Sequence, residues 1–395
     1  MNRVEKLIQQ YCPDGVVFVP LGNIADLFRG KVISKDYIKD NEGEFPVYSS
    51  QSANDGVLGR IDTYMYDGEY LTWTTDGAYA GTVFRRSGKF NITNVCGLVS
   101  IVSPEVKLDF LYYWLVVEAP KYVYSGMGNP KLMSNVMGTI SVPIPPLPIQ
   151  EEIVRVLDTF IKLQTELQRE LQKRKQQYNY YRDNLLSFEG RRDVQWKHLG
   201  DICDIKGRIG FRGYTREDQV KEGEGALSLS PSNIQDGQMD YSKGTYITWF
   251  KYEESPEIMT FNGDIIFCKT ASVGKVALVK NLPYKATINP QLVVLKNIKC
   301  WIPFLAYVLE TNYVQSKVIS MAGVGSVPNI SQKALSEIEI PIPSLDEQQR
   351  LVDILDRFNT LANDLAEGLP YELEKRRQQY EYYRDKLLTF KRKEA

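Results

Sequence analysis

The chain carries a single histidine, His198, so any Ser-His-Asp or Cys-His site would have to be built around it. It stands beside Trp196 in a stretch that reads as the entry strand of a domain, where a structural role is expected. Five cysteines (Cys12, Cys96, Cys203, Cys268 and Cys300) are scattered without C-x-x-C spacing. That argues against a zinc site and against a disulfide framework. Val273-Gly-Lys-Val lacks the first glycine and the Ser/Thr of a phosphate-binding loop. No G-x-G-x-x-G follows a strand with an acidic residue downstream; Gly126-Met-Gly and Gly323-Val-Gly read as loops. Asn129-Pro-Lys and Asn289-Pro-Gln are only superficial echoes of the Asn-Pro-Pro-aromatic stretch with which amino-methyltransferases hold a flipped base. This inventory gives no positive sign of an enzyme.

At 395 residues, with 43% hydrophobic and 25% charged side chains, the chain has the make-up of a globular protein of two or three domains. No apolar run approaches the roughly 20 residues of a membrane span. The polar start Met1-Asn-Arg-Val-Glu-Lys does not read as a signal peptide, and the scattered thiols fit a reducing cytoplasm. A net charge of −1 means that a polyanionic partner would be met by local basic patches.

What must position any functional residue is a repeated scaffold. Lys173–Leu186 returns as Lys375–Leu388 with eleven of fourteen positions identical, at an offset of 202. Pro143-Ile-Pro-Pro-Leu with Gln150 returns as Pro341-Ile-Pro-Ser-Leu with Gln348 at an offset of 198. The second copy therefore holds four extra residues, placed near Gly368-Leu-Pro370. Each Pro-rich connector is followed by a helical arm, Gln150–Phe188 and from Asp346 onward. Their apolar positions (Ile153, Leu157, Phe160, then on to Tyr178, Tyr181, Leu185 and Phe188) recur 4-3-4-3, a coiled-coil seam. The first arm is about 58 Å long at 1.5 Å per residue. Pro370 is expected to kink or break the second.

Ahead of each arm the text is mainly β, with short runs such as Tyr64–Trp73, Gly81–Arg86 and Val95–Val102 between Gly, Asn and Asp turns. Residues 1–15 read as a short amphipathic helix and Asp109–Val117 as another. Trp196-Lys-His-Leu-Gly-Asp-Ile echoes Phe18-Val-Pro-Leu-Gly-Asn-Ile, and Pro303-Phe-Leu echoes Asp109-Phe-Leu. Between such anchors the two β-rich regions scarcely match.

Two divergent domains, each closed by Pro-Ile-Pro-x-Leu and a helix ending Gln-Gln-Tyr-x-Tyr-Tyr-Arg-Asp-x-Leu-Leu, resemble the specificity subunit of a type I restriction–modification system. Glu44-Phe-Pro-Val-Tyr-Ser-Ser-Gln with Gly77-Ala-Tyr-Ala-Gly-Thr-Val resembles one class of target recognition domain, and Gly225–Gly237 another. The expected fold is α+β: two β-rich target recognition domains related by pseudo-two-fold symmetry, separated by two long antiparallel coiled-coil helices. The expected divisions are 1–148, 149–190, 191–345 and 346–395. The resemblance implies double-stranded DNA as ligand, each domain reading half of a split target. It implies two methyltransferase subunits docked on the arms and, through them, motor-nuclease subunits. S-adenosylmethionine, ATP and Mg are expected on those partners and no cofactor in this chain. If the arms act as a ruler, the first corresponds to about 17 base pairs at 34–36 Å per turn of DNA.

Candidate DNA contacts in the first domain are Ser49, Ser50, Gln51, Thr74, Thr75, Arg85, Arg86 and Lys131. In the second they are Lys206, Arg208, Arg212, Arg216, Lys269, Thr270, Ser272 and Lys275. Arg and Lys pair with guanine or phosphate, Gln reads adenine, and Ser and Thr read either. Each is also readable as a solvated loop residue, though Arg208–Arg216 interleaves three arginines with aromatics in a Gly-rich run. Tyr178 and Tyr181 lie on the seam and are expected to pack. Tyr180 and Arg182, with their copies Tyr382 and Arg384, are the candidate partner contacts. Two rival readings stand beside this one: a chain that itself methylates or cuts DNA, and a structural coiled-coil adaptor.

Overall fold

A computed structural model describes residues 3–51, 53–126, 128–323, 327–363 and 369–394. The fold is α+β, with two β-rich domains and long helices. The chain forms two compact units: Met1–Glu166 with Glu374–Ala395, and Leu167–Leu373. Each combines one β-rich domain with parts of both arms.

In the first unit a six-stranded sheet has the order Ala25–Arg29, Cys96–Ile101, Tyr66–Thr74, Val83–Ile92, Glu42–Tyr48, Val57–Ile61. All neighbours are antiparallel except Glu42–Tyr48 and Val83–Ile92, which pair in parallel with Val47 opposite Asn91. Leu71, Trp73 and Val99 project from one face onto the helix Leu108–Glu118, whose Phe110, Leu111, Tyr113, Trp114 and Leu115 are buried. Phe18–Pro20 pairs with Ser141–Pro143, so the Pro-rich connector starts as an edge pairing rather than a free spacer. Proline is tolerated in such a two-stranded edge because the outward amide has no ladder partner to lose.

The second unit repeats this frame with smaller sheets. Gln195–His198 pairs with Glu339–Ile342, Trp196 standing opposite Pro341 as Phe18 stands opposite Pro143. A four-stranded sheet runs Asp204–Gly207, Leu292–Lys296, Ile265–Cys268, Val276–Leu278, and its core includes Phe304 and Leu305 of the helix Ile302–Leu309. A five-stranded sheet built on Ala226–Leu229 and Ala286–Ile288, again parallel to each other, supplies a separate core. His198 accepts a structural role: its Nδ1 lies 2.9 Å from the Glu337 carbonyl.

The first arm is one helix, Leu147–Leu185, starting three residues before Gln150 because Pro148 fits a first turn, where no N–H partner is needed. The second is described as Leu345–Asn363 and Leu369–Leu387. Of the stretch near Gly368-Leu-Pro370 where the extra residues are expected, Gly368 lies outside the described residues, and Pro370, expected to kink or break the helix, stands in the first turn of the second segment. Within each unit the arm segments run antiparallel. In the first, Ile153 and Leu157 share a core with Leu387 and Leu388, and Phe160 stacks on Tyr383 at 5.4 Å. In the second, Leu186 shares a core with Leu351 and Leu355, and Tyr181 stacks on Phe358 at 5.7 Å. These are the same two repeat positions with the arms exchanged. Phe110 against Phe390 and Phe304 against Phe188 repeat the exchange. Among the described residues no helix is long and apolar enough to cross a membrane.

A buried glutamine fastens each arm to its domain. Gln150 accepts from the Lys107 N–H at 2.9 Å and donates to the carbonyls of Glu105 and Pro145 at 2.7 and 2.8 Å. Gln348 accepts from Trp301 N–H at 2.9 Å and donates to the Pro343 carbonyl at 2.8 Å. The long neutral amide suits this place, since it both donates and accepts without burying charge. Gln150→Ala or Gln348→Ala is therefore expected to cost about 2–4 kcal/mol in the urea transition of its unit, because buried backbone groups lose their partners. A loss under about 0.5 kcal/mol would sink this account, as that is the range of surface substitutions without a structural role.

Candidate nucleic-acid interface

At one end of the six-stranded sheet, four stretches of backbone interlock. The Thr93 N–H donates to the Tyr48 carbonyl (2.9 Å), Cys96 to Thr93 (3.0 Å), Thr75 to Val95 (3.1 Å) and Leu132 to Thr75 (2.9 Å). Asp76 and Lys131 close the set as a β-bridge. In the second unit Asn289 donates to Leu229 (2.8 Å), Leu292 to Asn289 (3.2 Å), Lys269 to Gln291 (2.9 Å) and Ile330 to Lys269 (2.9 Å). Thr270 and Asn329 form the closing bridge. The two rims thus share one scheme of backbone-to-backbone hydrogen bonds.

The side chains on this shared frame differ. Thr93 is matched by Asn289, Thr75 by Lys269, Asp76 by Thr270 and Lys131 by Asn329. In the first rim Asp76 lies 3.5 Å from Arg29 Nη2 and 3.9 Å from Lys131 Nζ, and accepts from Thr75 Oγ1 at 2.7 Å. Thr93 Oγ1 donates to Ser49 Oγ at 3.0 Å. In the second rim the places of Asp76 and Lys131 are neutral, Thr270 Oγ1 donating to Asn329 Oδ1 at 2.7 Å, while the cation Lys269 takes the place of Thr75. Asn289 Nδ2 donates to Gln291 Oε1 at 3.1 Å. Hydroxyls, amides and cations are the groups that read base edges and phosphates; here Lys131 and Asn329 are exposed, whereas Thr75 and Thr93 are buried.

Of the candidate contacts, Ser49, Thr75 and Lys131 come together on the first rim, and Lys269 and Thr270 on the second, with Ser272 exposed two residues on. Ser50 is half-buried next to Ser49, and Gln51 folds back on the Val57 carbonyl of its own loop. Thr74 is buried. Arg85 lies on the other face of the sheet, bound to Asp109 (3.1 Å) and to Asp158 of the arm (3.3 Å). Arg86 is buried against Tyr48, held by Asp55 and Thr72. Arg208, only 6% exposed, spends Nε on the Ile288 carbonyl, Nη1 on that of Arg212 and Nη2 on Thr287 Oγ1. Burial pushes its pKa down. It staples the Gly-rich run from inside, leaving Arg212 paired with Glu257 and Arg216 exposed at the surface. Lys206 is exposed on its strand, and Lys275 lines a cleft beside Lys175, Arg182, Asp236 and Glu310.

Arg29, Thr93, Asn94, Asn289, Gln291 and Asn329 are rim residues that sequence reasoning missed. The signal was available in Asn289-Pro-Gln, a polar turn directly after an apolar strand, but it reads only as a failed methyltransferase motif until the strand ends are seen side by side.

Residues 13–175 and 191–375 each match the type I restriction modification DNA specificity domain. The chain belongs to that family. It is 33% identical over 374 residues to a putative type I specificity subunit of Mycoplasma pneumoniae, spanning 93% of this chain and 96% of that one. It is also 33% identical over 297 residues to the EcoR124I/EcoR124II specificity subunit of Escherichia coli, spanning 73% and 72%. A solved chain from work on complex assembly and conformational transition of the type I R-M system shares the fold at a TM-score of 0.61 and 15% identity, with 96% and 98% covered. The chain is a type I specificity subunit with two DNA-recognition domains, and the two rims lie one in each matched segment.

On the arms of this specificity subunit the candidate partner residues separate into two kinds. Tyr180 and Tyr382 are 65% and 63% exposed, each edge-on to the packed tyrosine that follows it. Arg182 and Arg384 turn inward over Tyr178 and Tyr380, and Arg182 is buried between Asp183 (2.9 Å) and Glu310 (3.8 Å). Burial pushes the Glu310 carboxyl from an ordinary 4.5 up to about 7; the Arg182 cation opposes the rise and Asp236 adds to it. The unfolded chain releases this proton near its ordinary value and the folded chain only near 7. Stability from this group is therefore complete below about 4.5 and declines as pH rises to 7. Thermal melting should lose stability over that interval, and Glu310→Gln should remove this part of the slope. An unchanged slope in the variant would assign it to another group.

Proposed function

We propose that the chain directs a type I restriction–modification complex to a bipartite, asymmetric DNA target separated by a gap of fixed length. The observation that carries this reading is the pair of rims: one backbone scheme, with different side chains at matched positions. A duplicated reader with unlike decoration is suited to two unlike half-sites, as paired repressor domains are suited to like ones. The arms supply the spacing.

The chain itself is non-catalytic in this reading, and methyl transfer, ATP use and Mg binding belong to its partners. Methyltransferase subunits dock on the arms, where Tyr180 and Tyr382 offer repeated exposed aromatic surface, and restriction subunits join through them. Tyrosine is enriched at such contacts because it combines large apolar area with a polar tip. With a net charge of −1 the chain holds DNA weakly alone, and the partners complete the electrostatic grip.

Mapping methylated adenines across the genome of host cells, with and without the chain, tests both parts. A gapped asymmetric motif should vanish with the chain. Tyr180→Ala combined with Tyr382→Ala should reduce the methylated fraction while leaving the motif unaltered. A motif independent of the chain would overturn the assignment, and a changed motif in the tyrosine variant would move those residues from docking to recognition.

A further inference from the structure

Three arginines near the strand ends differ in how they use their donors. Arg208 spends Nε, Nη1 and Nη2 on groups of its own domain. Arg86 does the same, with Nε on Thr72, Nη1 on the Asp55 carboxylate and Nη2 on the Asp55 carbonyl. Such arginines are internal staples. Arg29 is built otherwise. All its contacts run through one nitrogen, Nη2: to the Asn94 carbonyl at 2.6 Å, Thr75 Oγ1 at 3.3 Å and Asp76 Oδ2 at 3.5 Å. Its Nε and Nη1 meet no acceptor among the described residues, and 38% of the side chain is exposed. The guanidinium, at the end of the edge strand Ala25–Arg29, is thus held through one nitrogen.

We propose, building on the recognition role above, that Arg29 reads a guanine in the half-site bound by the first domain. Nη1, together with the Nη2 hydrogen not spent on the Asn94 carbonyl, forms the end-on fork that matches the O6 and N7 acceptors of guanine in the major groove. Asp76 favours a base edge over phosphate: its carboxylate, 3.5 Å from Arg29 and 3.9 Å from Lys131, can accept from the N4 amine of the cytosine paired with that guanine, and phosphate offers no such donor. Arg29 and Asp76 together thus address both partners of one G·C pair, and Asp76 also positions the arginine. In the second domain the matching strand position, opposite Val293 as Arg29 is opposite Gly97, is Gly207. The contact therefore belongs to one half-site only.

The test is the methylated-adenine map in cells carrying the full chain and its partner subunits, comparing wild type with Arg29→Gln and Arg29→Lys. Arg29→Gln should make one guanine position of one half-site degenerate, with discrimination there falling about tenfold to a hundredfold. The other half-site should stay unchanged. Arg29→Lys should retain part of the preference, having a charge but no fork. An unaltered motif overturns the proposal, and so does a uniform fall in methylation with the motif intact, which marks a phosphate contact or a structural clamp. If Arg29→Gln fails to accumulate, Asp76→Asn carries the test: the same base pair should loosen, and an unaltered motif overturns the proposal equally. Should wild type itself support no chain-dependent gapped motif, the recognition role fails, a result distinct from failure at Arg29.

Discussion

Each recognition domain is closed by two arm segments that come from opposite ends of an arm repeat, and a stacked phenylalanine–tyrosine pair joins them. Phe160 meets Tyr383 in one unit and Phe358 meets Tyr181 in the other. Because the partners are the same repeat positions with the arms exchanged, neither arm can be altered at its start without altering what the other arm's end packs against. The buried glutamines extend this constraint into the domains. Gln150 and Gln348 tie the first turn of an arm to the amide that precedes the domain's main helix, Leu108–Glu118 in one case and Ile302–Leu309 in the other. The Tyr113 and Tyr307 hydroxyls then donate to Asp158 and Asp356, one further contact made twice.

Such a frame leaves the opposite ends of the strands free to vary. At the rims the shared bonds run from backbone to backbone, so the side chains at the matched places can differ, even where one such as Asn289 also accepts from the Gln291 N–H. That is what separates Asp76 and Lys131 in one domain from Thr270 and Asn329 in the other. The staples lie just behind. Arg86 and Arg208 hold loops in place with every donor engaged, and their burial is sustained only because each is fully bonded. A cation with unspent donors in the same region, such as Arg29, is chemically a different object despite the same residue type.

The sequence by itself determined the repeat, the seam of each arm, the two β-rich domains and the family. Those features rest on local periodicity and on Lys173–Leu186 and Lys375–Leu388, which can be compared letter by letter. It also named Ser49, Thr75, Lys131, Lys269 and Thr270, residues that the fold gathers at the two strand-end rims, with Thr75 buried there. Tertiary structure alone decided the rest. Whether Arg85, Arg86 or Arg208 faces outward depends on which acceptors from distant strands surround it, and Asp158, Asp55 and Ile288 lie far away in the chain. Likewise, Thr93 and Asn289 become equivalent only through parallel strand pairing and carbonyls such as Tyr48 and Leu229. Hydrogen bonds between backbone groups leave no trace in residue identity, so a rim built from them is invisible until the strands are assembled.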